Sequence, residues 1–269
     1  MHSNVDTLFE NLWEDYVDIT PSAYKIHELL ADSENGDEIV NDHVAFRTFN
    51  LPKTSLDKLA AHFLALGYEE KGDYDFEAKK LDAKHFEHPD ETKPKVFISE
   101  LRVQDLSEKA QKIIHHLVEQ MDDDAVEADN FLYSGKHWTV SKAEYDMLLE
   151  ESEYAAWLAA WGFRANHFTV SVNFLKKTQE LSDVNQMLKD AGFTLNDSGG
   201  EIKGGESVYL AQSSTMADHA YVKFEAESKM IPSCFYEFAQ RYKMPDGNYY
   251  TGFVAASADK IFESTNAKQ

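Results

Sequence analysis

Two stretches, His43-Val44-Ala45-Phe46-Arg47 and Asn166-His167-Phe168-Thr169-Val170-Ser171-Val172, share one layout. Each sets a histidine near the start of a short run of strand composition, and each run leads into an amphipathic helical stretch closed by glycine and an aromatic residue. From His43 the chain passes Pro52 and residues 55–66 to reach Gly67-Tyr68, 24 residues on; from His167 it passes Lys176-Lys177 and residues 178–191 to reach Gly192-Phe193, 25 residues on. One supersecondary unit used twice predicts two pseudo-symmetric modules whose matching positions face each other. The two histidines are then expected to meet.

Working outward, each repeat continues from strand to helix to further strands. Residues two apart on a strand share a face, so His43, Ala45, Arg47 and Phe49 point one way and Val44, Phe46 and Thr48 the other. In the second repeat His167, Thr169, Ser171 and Asn173 share a face. Residues 68–76 and 95–103 read as strands of the first module; residues 208–212, 221–226 and 233–241 read as strands of the second, with Phe235, Glu237, Ala239 and Arg241 on one face. Residues 82–93 read as a polar loop, and Gly199-Gly200 and Gly204-Gly205 as turns. Leu8, Leu12, Trp13 and Tyr16 recur at helical spacing, Pro21 opens a second short helix, and Glu34-Asn35-Gly36-Asp37 reads as a turn. The fold class is therefore α+β: two pseudo-symmetric βαβββ modules forming a half-open barrel, with N-terminal helices and a helical insertion between modules. The boundaries are 1–37 for helical support, 38–104 for the first module, 105–162 for the insertion, 163–245 for the second module and 246–269 for a closing segment.

Composition narrows the function. A chain of 269 residues, 43% hydrophobic and 13% aromatic, is that of a folded globular protein. Its formal charge of −22 repels phosphate backbones and anionic lipid, which argues against nucleic-acid and membrane-surface partners. Cys234 is the single cysteine, so no intrachain disulfide forms, and Met1 to Thr20 lacks the basic and apolar regions of a signal peptide. A soluble, reducing, cytoplasmic setting is the expectation.

Two histidines from corresponding first strands and a carboxylate from a late strand make a 2-His-1-carboxylate triad, which leaves positions open on divalent iron. Glu237 suits the third place, and Glu100 is read as its counterpart in the first module. A lone strand histidine is ordinarily a hydrogen-bonded core residue, and it is the repetition that changes the reading. Arg47 lies roughly 13 Å along the strand from His43 and can take the far anionic group of a ligand anchored there. His85-Phe86-Glu87-His88 has the composition of a ligand cluster but exposed-looking flanks, and it is set aside as loop. The glycines of 199–205 lack the lysine and hydroxyl spacing of a phosphate loop. Cys234 reads as an inert buried thiol.

His43-Val-Ala-Phe-Arg47, Val96-Phe-Ile-Ser-Glu-Leu101, Asn166-His-Phe-Thr-Val-Ser171, Gln212-Ser-Ser-Thr215, Tyr236-Glu-Phe-Ala-Gln-Arg241 and Ser257-Ala-Asp-Lys-Ile-Phe262 together resemble the 2-oxoadipate dioxygenase/decarboxylase family of the vicinal oxygen chelate superfamily. The resemblance implies paired βαβββ modules, Fe(II) ligated by His43, His167 and Glu237, and a dicarboxylic 2-oxo acid and O2 as the small-molecule partners. It implies that Arg47 and Ser257 contact substrate, and a product one carbon shorter, 2-hydroxyglutarate from 2-oxoadipate; Glu100 and Arg241 are additional candidate site residues. It also implies a place in lysine catabolism. Two other readings stay open at this point. A glyoxalase-type isomerase or lyase would add Glu100 as a fourth ligand and turn over without oxygen, and a metal-free binding module would keep the paired fold without an ion.

Overall fold

The computed structural model describes residues 1–31 and 39–266. The turn expected at Glu34-Asn35-Gly36-Asp37 lies outside them. Strand β1 (Asn41–Phe49) is buried on both faces from Asp42 onward, and Val44 and Phe46 supply the apolar part of its outer face. Phe46 on the outer face meets Phe63 of α3 (Leu56–Leu64) with ring centroids 5.4 Å apart, while His43, Ala45 and Arg47 line the inner face. The chain then forms β2 (Glu69–Phe76), β3 (Leu81–Glu87) and β4 (Lys95–Leu101), and β4 returns parallel to β1.

The second module repeats this order with β5 (Ala165–Ser171), α7 (Leu181–Asp190), β6 (Lys203–Gly205), β7 (Leu210–Ser214) and β10 (Phe235–Arg241). The eight strands make one sheet in the order β2-β3-β4-β1-β5-β10-β7-β6. Read from either end, the order is second, third, last, first strand of a module. The modules therefore join edge to edge through the antiparallel pair β1 and β5, and His43 and His167 sit on opposite sides of that seam. Between β7 and β10, β8 (His219–Lys223) and β9 (Ser228–Pro232) form a separate two-stranded hairpin.

Helices cover the outer face. Asn4 caps α1 (Val5–Ile19) by accepting from the Thr7 amide at 3.1 Å, and Leu8, Leu12 and Tyr16 make its buried stripe. Trp13 of α1 meets Phe168 of β5 edge-on at 5.1 Å, and Pro21 fixes the start of α2 (Pro21–Leu30), which packs on β10. Full burial of a side chain the size of Phe168 contributes about 1.5–3 kcal/mol. The insertion supplies α4 (Glu108–Glu119), α5 (Lys142–Glu151) and α6 (Glu153–Trp161). Helix α5 begins with a reciprocal Ser141 and Glu144 cap, and α6 is buried from Tyr154 to Trp161. Gly162 ends α6 at φ +68, where a Cβ would stand 2.3 Å from the backbone of Gly135, so only glycine hands the chain on to β5 here. Helix α8 (Ala255–Ile261) touches β2 from one end of the curled sheet and β6 and β7 from the other, closing the mouth of the half-open barrel.

Four local expectations are corrected. Residues 82–93 are not all loop, because residues 81–87 form β3, with Leu81, Ala83 and His85 turned inward and Asp82 and Lys84 half-exposed. Gly204 and Gly205 belong to β6 and not to a turn; at Gly204 a Cβ would lie 2.2 Å from the Leu210 carbonyl oxygen, a close approach of strands that excludes any side chain. The strand expected at 208–212 is shifted to Leu210–Ser214, behind a short 3-10 turn. The strand expected at 221–226 is half of the β8 and β9 hairpin and does not join the barrel.

Candidate metal centre

His43 from β1, His167 from β5 and Glu237 from β10 converge at the centre of the inner face. One donor atom from each lies within 4.8 Å of the other two, and all three residues are buried. His167 Nε2 is 3.0 Å from Glu237 Oε2, and His43 Nε2 is 3.6 Å from Glu237 Oε1. The remaining ring nitrogens are taken by the residues that precede them. His43 Nδ1 is 2.8 Å from Asp42 Oδ1, and His167 Nδ1 is 3.0 Å from Asn166 Oδ1. A neutral imidazole has one proton, and giving it to these partners leaves both Nε2 lone pairs facing the Glu237 carboxylate. Three electron-pair donors then meet with no proton between them, and this donor set fits a divalent cation.

Electrostatics agree. Burial pushes the Glu237 carboxyl up, but the adjoining imidazoles of His43 and His167 and the Gln212 hydrogen bond outweigh it, so Glu237 is held below the ordinary carboxylate range. Burial holds His167 below its usual value despite Glu237, which keeps its Nε2 lone pair available. Gln212 Nε2 donates to Glu237 Oε1 at 2.6 Å, and Thr169 Oγ1 lies 3.0 Å from His43 Nε2. Phe235 stacks on His167 at 4.5 Å, and Phe253 stands edge-on to His43 at 4.8 Å.

Arg241 acts at one remove. It is buried and grips Asp42 with Nε to Oδ2 at 2.6 Å and Nη2 to Oδ1 at 2.9 Å, while its Nη1 donates to the carbonyls of Tyr250 and Gly252. Burial raises the Asp42 carboxyl, but Arg241 and His43 overcome that and hold it well below the carboxylate range. A metal-binding histidine whose other nitrogen is fixed in this way has its tautomer and ring orientation set.

Arg47 lies on the same face of β1 as His43, with its guanidinium 4.9 Å from the Tyr154 ring centroid and 5.0 Å from that of Trp157. Nη1 donates to Glu153 Oε1 at 3.1 Å and Nη2 to Thr265 Oγ1 at 2.8 Å, and Nε has no partner. Arg47 and the three donors share a narrow cavity whose walls include Phe97, Phe253, Ile261 and Phe262, with the amides Asn166 and Gln212 beside the donors. Ser257 is buried against β6, its Oγ 3.1 Å from where a Cβ on Gly204 would stand, and Ala258, Ile261 and Phe262 of the same segment line the cavity.

Glu100 is not in the cavity. Its Oε2 accepts from the Leu56 amide at 2.6 Å, on the outer face beside α3. The sheet register gives the reason. On β10 the residue opposite His167 is Phe235, with Glu237 two further on; on β4 the residue opposite His43 is Lys95, with Phe97 two further on. Phe97 is thus the counterpart of Glu237, and Glu100, an odd number of residues away, points to the other side of the sheet. A four-ligand site that uses Glu100 has no geometric basis. His85, set aside as loop, is buried on β3, bonded to the Tyr74 hydroxyl at 2.9 Å and to Glu87 at 2.9 Å, and it packs against Phe253. The roles of Asp42 and Asn166 in holding the imidazoles do not follow from the strand pattern, and the signal for them is a polar residue directly before each repeated histidine. Cys234 is buried, and burial pushes its thiol up to about 12, as expected for an inert thiol.

The sequence profile of the 2-oxoadipate dioxygenase/decarboxylase family matches residues 4–249. The chain is 34% identical to the chloroplastic 2-oxoadipate dioxygenase/decarboxylase of Arabidopsis thaliana, over 94% of this chain and 75% of that protein. The crystal structure of hydroxyglutarate synthase in complex with 2-oxoadipate from Oryza sativa superposes with a TM-score of 0.90 at 34% identity, covering 98% of this chain and 92% of that one. A crystal structure of a Shewanella frigidimarina protein, described only in general terms as a hydrolase, has a TM-score of 0.91 at 60% identity, over 95% of this chain and 100% of that one.

Proposed function

Because the chain belongs to the 2-oxoadipate dioxygenase/decarboxylase family, we infer that it converts a dicarboxylic 2-oxo acid, 2-oxoadipate, and O2 into 2-hydroxyglutarate and CO2 with Fe(II) held by His43, His167 and Glu237. The observation that carries this reading is the buried meeting of two imidazoles and one carboxylate, with an apolar residue, Phe97, in the fourth pseudo-symmetric position. Three protein ligands leave sites for a bidentate 2-oxo acid and for oxygen; a fourth would take one of them. When bound, Fe(II) supplies the redox chemistry and the open coordination sphere. The atoms balance: one O2 enters, one carboxyl carbon leaves as CO2, and the five-carbon remainder carries the new hydroxyl.

The protein's own groups bind, orient and exclude water. Asp42 and Asn166 fix the two imidazoles, and Gln212 fixes Glu237. Phe97, Phe253 and Phe262 keep the cavity apolar between the donors and Arg47, so the charges in it act in a medium of low dielectric. Arg47 is proposed to hold the far carboxylate. Its Nε is unpaired, and Glu153, which shares Nη1, has a side chain 20% exposed and can turn to solvent as the substrate arrives. Stacking on Tyr154 and Trp157 strips water from the guanidinium, which strengthens a bidentate carboxylate pair.

The direct test is anaerobic loading with Fe(II), then addition of oxygen and 2-oxoadipate, with O2 uptake, CO2 release and 2-hydroxyglutarate measured together. Equal amounts of the three are expected. Turnover without oxygen, or with Zn(II) in place of iron, would overturn the redox reading, and a purified protein that neither retains nor takes up metal would favour a binding module. Arg47→Lys keeps the charge and loses the fork. It is expected to lower kcat/KM for 2-oxoadipate by about 100-fold while leaving a monocarboxylic 2-oxo acid within a few-fold. An equal loss on both substrates would remove Arg47 from the far carboxylate.

A further inference from the structure

Two amides flank the three donors, and each has one end committed. Gln212 Nε2 donates to Glu237 Oε1 at 2.6 Å. A carboxylate only accepts, so the amide nitrogen must face Glu237 and the amide oxygen must face away from it. That oxygen has no hydrogen-bond partner, and Gln212 is 2% exposed and lines the cavity. Two other cavity residues have an unpaired buried polar atom, Arg47 Nε and Asn166 Nδ2, and both of these are donors. Buried polar atoms are nearly always paired, so three orphans on residues that line one narrow space point to a ligand that pairs them.

That ligand has acceptors for two donors and a donor for one acceptor. A dianionic 2-oxo acid has acceptors alone, which suit Arg47 and Asn166 and give Gln212 Oε1 nothing. A 2-hydroxy diacid has, in addition, one O–H next to its carboxylate. Resting on the reaction inferred above, we propose that Gln212 Oε1 accepts a hydrogen bond from the 2-hydroxyl of the product diacid. Gln212 is then the residue that tells the hydroxylated acid from the plain one, and one enantiomer of it from the other. The aromatic neighbours of the donor cluster, Phe235 stacked on His167 and Phe253 edge-on to His43, carry no acceptor.

The test compares ligands and not rates. Calorimetric Kd values would be measured on the anaerobic Fe(II) protein for glutarate and for each enantiomer of 2-hydroxyglutarate. In the wild type one enantiomer is expected to bind roughly five- to tenfold tighter than glutarate, the worth of one neutral hydrogen bond. In Gln212→Met that ratio is expected to fall to about one, and the preference between enantiomers to vanish. Loss of support to Glu237 shifts both enantiomers together and leaves their ratio alone, so a merely structural role does not imitate the loss of enantiomer preference. Gln212→Asn, which keeps an amide but withdraws its oxygen, provides the same comparison should the methionine variant lose metal. Unchanged ratios in the variants would overturn the proposal and leave a water molecule as the partner of Oε1. Failure of every diacid to bind the wild type would overturn the diacid site itself, and this proposal with it.

Discussion

Replacing His167 with alanine is expected to abolish both metal retention and 2-oxoadipate-dependent oxygen uptake, the latter by on the order of 10³-fold or more, the scale for a group that works only as part of a unit. His167 is one of only three donors, and its Nε2 lies 3.0 Å from Glu237 Oε2, so its removal leaves a buried carboxylate facing a single imidazole. Elemental analysis of the purified variant and an oxygen electrode read the two losses separately. The matched control is His85→Ala, since His85 is also buried in the first module but bonds to Tyr74 and Glu87 and gives no atom to the donor cluster. It is expected to keep stoichiometric metal. Full activity in His167→Ala, or loss of metal in His85→Ala, would mean that the donors have been misidentified.

The sequence made part of this arrangement legible for physical reasons. Period-two alternation placed His43 with Arg47 and Glu237 with Arg241 on shared faces, and the structure keeps both pairings because β1 runs in unbroken register with β4 from His43 to Arg47, as β10 does with β7 from Glu237 to Arg241. The repeat itself predicted that the histidines meet across a seam, and β1 and β5 are that seam. What failed was whatever depends on register between strands. Glu100 was matched to Glu237 by its place in a late strand, but facing positions are set by pairing with the first strand, and that rule selects Phe97. Strand β3 was hidden because its half-exposed Asp82, Lys84 and Glu87 dominate the composition, while the inward positions Leu81, Ala83 and His85 follow strict alternation. The Arg241 to Asp42 pair, through which Arg241 reaches His43, joins residues 199 positions apart, and no local pattern encodes it.

Asp42→Asn is expected to weaken Fe(II) binding by about 10- to 100-fold and to cost about 3 kcal/mol of stability, from separable causes. The first effect arises at His43, whose Nδ1 partner changes from an anionic carboxylate to a neutral amide and so makes Nε2 a poorer donor. The second arises at Arg241, which is 6% exposed and is left as a buried cation without its carboxylate. The pH dependence follows from Arg241 and His43 holding the Asp42 carboxyl, against its burial, well below the ordinary carboxylate range in the folded protein. A depressed folded value means that the stabilisation is complete above the unfolded value and is lost as pH falls through the folded one. The gap between wild type and variant in denaturant melts should therefore hold steady from neutral pH to about pH 4 and narrow below it. The double variant Asp42→Asn/Arg241→Met separates the causes, because it removes the stranded cation but leaves the amide beside His43. It should recover part of the stability and none of the metal affinity. Recovery of both would place the whole effect in the ion pair and deny Asp42 any role in setting the imidazole, and recovery of neither would mean that the methionine cannot pack where Arg241 reaches the Tyr250 and Gly252 carbonyls.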